Sequence, residues 1–192
     1  KPILIHTMQV FHDVFEDVEF ILALHEGFWD EWQNLCDSYQ FNLPHQLALG
    51  GETRFHSVKN GLEAIHENGL VAIHDAVRPL VYKSVVRQGF ELAAQNGNAV
   101  PCVDMNESVR EILSEGNKPM DRERIRIIQT PQVFEVDLIK KAYKVDYHPS
   151  FTDDATVLEH SGVKIHLYNG NQENIKITRP ADLILANALF KV

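Results

Sequence analysis

Cysteine is scarce in this chain: Cys36 and Cys102 are the only two, and neither belongs to a Cys-x-x-Cys pair. A disulfide framework and a thiolate metal site are both excluded on that count, and both residues are expected to be free thiols. Long apolar runs are missing as well. The longest, such as residues 18–24 (VEFILAL), are far too short to span a bilayer, and no signal-peptide pattern opens the chain. These absences imply a cytoplasmic protein with no membrane partner. Clusters of Lys and Arg are also lacking, and the formal net charge is -9, so no nucleic-acid partner is expected. Any phosphate must be held by a few placed residues. None of the ten histidines shows the i, i+4 spacing around a carboxylate that zinc hydrolases use, so a structural zinc site is disfavoured.

What is present is the composition of an ordinary folded domain: 192 residues, 44% hydrophobic and 23% charged, enough for one substantial core. No repeat, linker or low-complexity stretch divides it, so residues 1–192 read as one domain. Lys1 is followed at once by PILIHTMQVF with no preceding strand, so the domain is expected to be incomplete at its N-terminus.

Helices and strands alternate along the chain. Leu4, Met8, Phe11 and Phe15 recur at helical spacing, and 18–24 reads as a buried strand. The alternation continues with a helix over 28–39, a strand over 45–49, a helix over 54–66, a strand over 70–75, a helix over 83–95 and a strand over 99–102. Such alternation needs crossover connections, so the fold class is α/β, a doubly wound, mostly parallel sheet with helices on both faces. Residues 103–129 break the rhythm. Two strand-like pieces there, SVREIL and RIRIIQT, are joined by the polar stretch SEGNKPMDRE and predict an inserted β-hairpin arm used for dimerisation. Beyond it come a helix over 135–144, a helix N-capped by Thr152, the strands VKIHLY and NIKIT, and a last helix with Pro180 at its first position.

In open α/β sheets, ligands sit beyond the carboxyl ends of the strands, and three such places carry polar residues. After HQLAL comes GGETRFHS, where glycines admit a close flat ligand and Glu52, Arg54 and Ser57 offer contacts; a plain strand-to-helix turn would look the same. After LVAIH comes DAVRP, whose Asp75 and Arg78 suit a hydroxyl or metal and a phosphate, or equally a structural salt bridge. Lys176 alternates with Ile175 and Ile177, which turns it away from the apolar face, where a lysine is more often simply solvated. His74 ends an apolar strand and reads as a hydrogen-bonded core residue rather than a general base. Phe28, Trp29 and Trp32 read as packing rather than as a base-stacking platform.

These places suggest an anionic ligand without naming it. The order of motifs goes further: GGETRFHSV, IHDAVRPLV, DRERIRIIQTPQVF, FTDDATVLEHSG and ENIKITRPADLILA together resemble the methylerythritol-phosphate cytidylyltransferase family from end to end. The resemblance implies a homodimer of Rossmann-like subunits that transfers CMP from CTP to 2-C-methyl-D-erythritol 4-phosphate, releasing pyrophosphate, in non-mevalonate isoprenoid synthesis. It implies Mg²⁺ as cofactor, held mainly by the CTP phosphates rather than by protein ligands. Carried over, Gly51, Glu52, Arg54 and Ser57 would lie at the cytosine, with Asp75 and Ala76 along the ribose and metal side. Arg78, Thr152 and Lys176 would line the acceptor pocket, Asp75 would reach the acceptor's hydroxyls, and Lys176 would also face the α-phosphate. Asp75, Arg78 and Lys176 are thus the implied catalytic set. Arg122 and Thr130 would reach the acceptor's phosphate in the partner subunit, and Ser108 replaces the family's arm threonine.

The family opens with a strand and a glycine-rich triphosphate loop, followed by a Pro-Lys-Gln segment; the present sequence starts after them, and a longer intact protein is expected. Two alternatives stand beside this reading: a cytidylyltransferase acting on ribitol 5-phosphate or a related polyol phosphate, and a non-catalytic CTP-binding dimeric module.

Overall fold

A computed structural model describes residues 1–190. The chain opens with α1 (Ile3–His12), β1 (Ile21–Leu24) and α2 (Trp29–Tyr39), the last preceded by a 3-10 turn over Glu26–Phe28. β2 (Gln46–Leu49), α3 (Arg54–Glu63), β3 (Leu70–Ile73) and α4 (Lys83–Asn96) follow. Then come β4 (Asn98–Asp104), β5 (Arg110–Ile112), β6 (Asn117–Pro119), β7 (Arg126–Ile128) and β8 (Gln132–Glu135). α5 (Val136–Ala142), α6 (Asp154–His160), β9 (Leu167–Asn169) and α7 (Pro180–Leu189) complete it.

β1 and β2 pair in parallel. β8 runs antiparallel to both β3 and β4, which makes β3 and β4 co-directional, and β9 lies parallel to β4 on its other side. The α/β class with helices on both faces is as expected. Side-chain alternation explains the layering. On β8 and β4, Phe134 and Val100 face a core formed with Phe55, Leu62, Ile139 and Leu158. Val133 and Ala99 face the opposite core, with Phe11, Val81, Val85 and Val86. A third cluster packs Ile5 and Met8 of α1 and Trp32 and Cys36 of α2 near Leu22, Leu24 and Leu47 of β1 and β2. Trp32 is therefore core, and both cysteines are free and buried.

The structure corrects several sequence expectations. Between the strand-like piece RIRIIQT and the helix over 135–144 no strand is expected, yet Gln132, Val133 and Phe134 form one that is buried on both faces. A three-residue buried run beside Pro131 gives no alternation to read. The arm's hairpin joins β5 to β6 (Arg110↔Pro119), whereas β7 pairs with β4 (Cys102↔Ile128) and belongs to the main sheet. The strand piece NKP had been counted as turn because its residues are all polar or Pro. Thr152 is not the cap of α6: Asp153 is, accepting from the Thr156 N–H at 2.9 Å in a reciprocal capping box. Residues NIKIT form no ladder; the Ile177 N–H bonds instead to the Val77 carbonyl at 3.0 Å.

Candidate active site

The site grows from the end of β3. Past Ile73 the chain turns out through His74 and Asp75, and the Arg78 N–H closes the turn on the Asp75 carbonyl at 3.1 Å. The Ile177–Val77 bond ties the 174–177 segment to this turn, which brings Lys176 over Asp75 although the two are far apart in sequence. Arg54 arrives from the first turn of α3, whose N-cap Thr53 accepts from the His56 N–H.

These elements converge on one carboxylate. Asp75 Oδ2 lies 3.0 Å from Arg78 Nε and 3.3 Å from Lys176 Nζ, and Oδ1 lies 3.4 Å from Arg54 Nε. Burial alone would raise the Asp75 pKa, but the Arg78 hydrogen bond and the Arg54, Lys176 and Arg78 charges outweigh it and hold it below the ordinary carboxylate value. Lys176 keeps 44% of its side-chain surface, against 11% for Asp75 and 13% for Arg78, so among these groups the ammonium is the one most open to an incoming anion.

Behind this cluster stands a buried pair. Arg54 forks onto Asp154, with Nη1 to Oδ1 at 2.9 Å and Nη2 to Oδ2 at 2.7 Å, and the Tyr143 hydroxyl donates to Oδ1 at 2.6 Å. Burial lowers the tendency of Arg54 to stay charged, but Asp154 and Asp75 more than reverse it, so the guanidinium is a fixed cation. On the other side, Arg78 Nη1 donates to the Asn174 carbonyl at 2.7 Å. Gln132 donates to Asp153 Oδ2 and accepts from the Ala155 N–H, which sets the start of α6 against β8.

A cleft of about 250 Å³ opens here, and Arg54, Asp75, Arg78, Thr130, Thr152 and Lys176 all line it. Six of the residues singled out in the sequence therefore meet, as the strand-end rule requires. The others lie elsewhere. Gly51 and Ser57 close a separate turn after β2, with the Gly51 N–H donating to Ser57 Oγ at 3.0 Å. A Cβ on Gly51 would collide with His56, so this turn admits glycine alone. Glu52 and Ala76 are exposed, and the Ala76 carbonyl accepts from Thr7 Oγ1 at 2.8 Å. Ser108 and Arg122 sit on the arm outside the cleft lining, where Arg122 Nη1 bonds to the Asn106 carbonyl at 2.9 Å. Asp154, Asp153, Gln132 and Asn174 escaped the sequence reading. Two adjacent acids at a helix start are accounted for by capping and the helix dipole, and buried amides carry no spacing signal.

An α/β sheet whose strand ends carry one carboxylate clamped by two arginines and a lysine offers a cleft with the charges suited to an anionic ligand such as a phosphate. The sequence model of the IspD family, 2-C-methyl-D-erythritol 4-phosphate cytidylyltransferase, matches residues 1–192. A protein of that name from Bacteroides thetaiotaomicron is 47% identical over 190 residues, covering 99% of this chain and 87% of the relative. One from Porphyromonas gingivalis is 42% identical over 191 residues, covering 98% and 85%. Among solved structures, a 4-diphosphocytidyl-2C-methyl-D-erythritol synthase from Anaerococcus prevotii superposes with a TM-score of 0.88 at 25% identity, covering 100% of this chain and 87% of that one. A 2-C-methyl-D-erythritol 4-phosphate cytidylyltransferase from Thermus thermophilus does so with a TM-score of 0.79 at 30% identity, covering 97% and 89%. The chain belongs to the IspD family of cytidylyltransferases, and so to the nucleotidyltransferases.

Proposed function

We propose that this chain joins CMP from CTP to 2-C-methyl-D-erythritol 4-phosphate, releasing pyrophosphate, as a cytoplasmic homodimer. The observation that carries the reading is the Arg54, Arg78 and Lys176 cluster around Asp75 in the strand-end cleft. An acceptor phosphate oxygen attacks the α-phosphorus of CTP in line with the departing pyrophosphate, and no protein nucleophile is needed. Catalysis then consists of placing two anions side by side and stabilising the charge that develops between them. Lys176, the most open cation of the cluster, faces the α-phosphate; Arg78 and Thr152 border the acceptor; Asp75 accepts from its hydroxyls. Gly51, Glu52 and Ser57 present the turn after β2 to the cytosine. Arg122 and Ser108 project on the arm toward the partner subunit's site.

The residues present do not build a magnesium cage. Both oxygens of Asp75 face cations, and among the described residues no group of three His, Cys, Asp or Glu side chains could hold a metal. Mg²⁺ enters, in this reading, with the triphosphate, and it supplies charge neutralisation there. No helix of the described residues is long and apolar enough to cross a membrane.

The test is pyrophosphate release by the full-length protein with CTP and Mg²⁺, comparing methylerythritol phosphate with ribitol 5-phosphate as competing acceptors. Turnover with a clear preference for the first is expected. Preference for ribitol 5-phosphate would move the chain to the sister activity, and CTP binding without any turnover would reduce it to a binding module.

A further inference from the structure

The Thr130 hydroxyl, assigned by resemblance to the acceptor's phosphate, is already engaged on the protein side. The Asp75 N–H donates to Thr130 Oγ1 at 3.0 Å, Oγ1 lies 3.0 Å from His74 Nδ1, and His74 Nε2 lies 3.0 Å from the Arg78 carbonyl. Counting protons fixes the direction of each bond. A carbonyl can only accept, so Nε2 carries the imidazole hydrogen. A neutral ring has one such hydrogen, which leaves Nδ1 as an acceptor and makes Thr130 its donor. Thr130 in turn accepts from Asp75. Thr130 is 4% exposed, and the Phe11 ring packs edge-on against His74 at 4.9 Å. Neutrality follows from burial first, helped by the Arg78 and Arg54 charges, which together outweigh the Arg78 carbonyl bond and Asp75 and push the His74 pKa down to about 4.

We propose that His74 and Thr130 form a positioning pair: Thr130 holds the backbone of Asp75, His74 holds the carbonyl of Arg78, and the bond between them locks both before substrate enters. Thr130 then acts on the substrate through Asp75, and its hydroxyl hydrogen is not offered to a phosphate. The functional part of this inference rests on the roles proposed above for Asp75 and Arg78. The turn they share is short, and misplacing a reacting group by about 1 Å can cost on the order of 100-fold in rate.

Two measurements test the pair. Nitrogen NMR of the imidazole in the full-length, ligand-free protein at neutral pH should show His74 protonated at Nε2 alone. Protonation at Nδ1 would overturn the proposal, and this readout needs neither a variant nor a substrate. In the pyrophosphate assay, Thr130→Val and His74→Phe should each lower kcat by about 10–100-fold. The double variant should lose no more than the worse single, and Thr130→Ser should recover most of the rate. If His74→Phe turns over normally while Thr130→Val raises only the KM for the acceptor, the hydroxyl touches the phosphate itself and the pair is not a positioning device. A wild-type protein inert toward both acceptors would sink the functional reading, and the tautomer would still decide whether the pair exists.

Discussion

At the scale of single residues, the cleft shows how one carboxylate can order three cations. Asp75 has two oxygens, and the Arg54, Arg78 and Lys176 nitrogens divide them. The arginines have further partners behind them, Asp154 for one and the Asn174 carbonyl for the other, so they are preorganised. Lys176 meets Asp75 alone among the described ion pairs and keeps nearly half its surface. A lysine so placed can exchange a protein carboxylate for a substrate phosphate at small cost, because its charge is never fully desolvated. Lys176→Ala should therefore leave the fold intact and lower kcat by ~2–4 kcal/mol of transition-state stabilisation, about what removal of a preorganised charge contact costs. Circular dichroism beside steady-state kinetics checks both halves. An unchanged kcat in a folded variant would show the ammonium to be a solvated surface charge.

At the scale of elements, legibility followed periodicity. α1, α2 and α4 were visible because their apolar residues recur over several turns, α7 was placed by Pro180 at its first position, and Asn96-Gly97 marked the end of α4, where Gly97 takes φ +80° in the left-handed region. The strand-end rule pointed to Asp75 and Arg78, and both line the cleft beyond β3. What periodicity could not show were the pieces whose conformation is imposed by distant partners. β8 is a strand because β3 and β4 flank it, and Lys176 stands over Asp75 because Ile177 bonds to Val77. The start of α6 belongs to the same group. Its Asp154 has a fully buried side chain and ties α6 to α3 through Arg54 and to the residue after α5 through Tyr143. Removing one partner of a buried pair leaves the other uncompensated, which typically costs ~3–5 kcal/mol. Because Arg54 keeps 34% of its side-chain surface and can turn toward water, the low end is expected. Asp154→Ala should thus lose about 3 kcal/mol in urea unfolding, with Asp154→Asn losing less because its amide oxygen can still accept from Tyr143. A loss below about 1 kcal/mol in the alanine variant would mean that the three elements are held by their apolar contacts alone.

At the scale of the whole molecule, the arm between β4 and β7 is, among the described residues, a long stretch that its own chain covers little. β5 and β6 form a hairpin of three residues on each side, and a two-stranded hairpin is marginal by itself in water. Its apolar side chains stand open: Ile112 is 79% exposed, and Leu113 and Met120 about 40%. Exposed apolar groups gathered on a protrusion mark an interaction site more often than a solvated loop. The partner proposed here is a second copy of this chain, since a symmetric dimer lets each arm reach the other's cleft with Arg122. The boundaries of a decisive experiment follow from the pairing. Deleting everything from 103 to 129 would remove β7, which pairs with β4 and is stapled by Arg126 to Asp104 at 3.1 Å, and would damage the sheet itself. Deleting 107–123 and closing the gap with a short Gly-Ser linker spares it. That variant should sediment as a monomer, keep its thermal transition and lose most of its turnover, and Ile112→Glu with Met120→Lys in the intact chain should weaken the dimer in the same direction. If both variants still sediment as the wild type does, the arm is not the dimer contact, and Arg122 has no route to a partner's cleft.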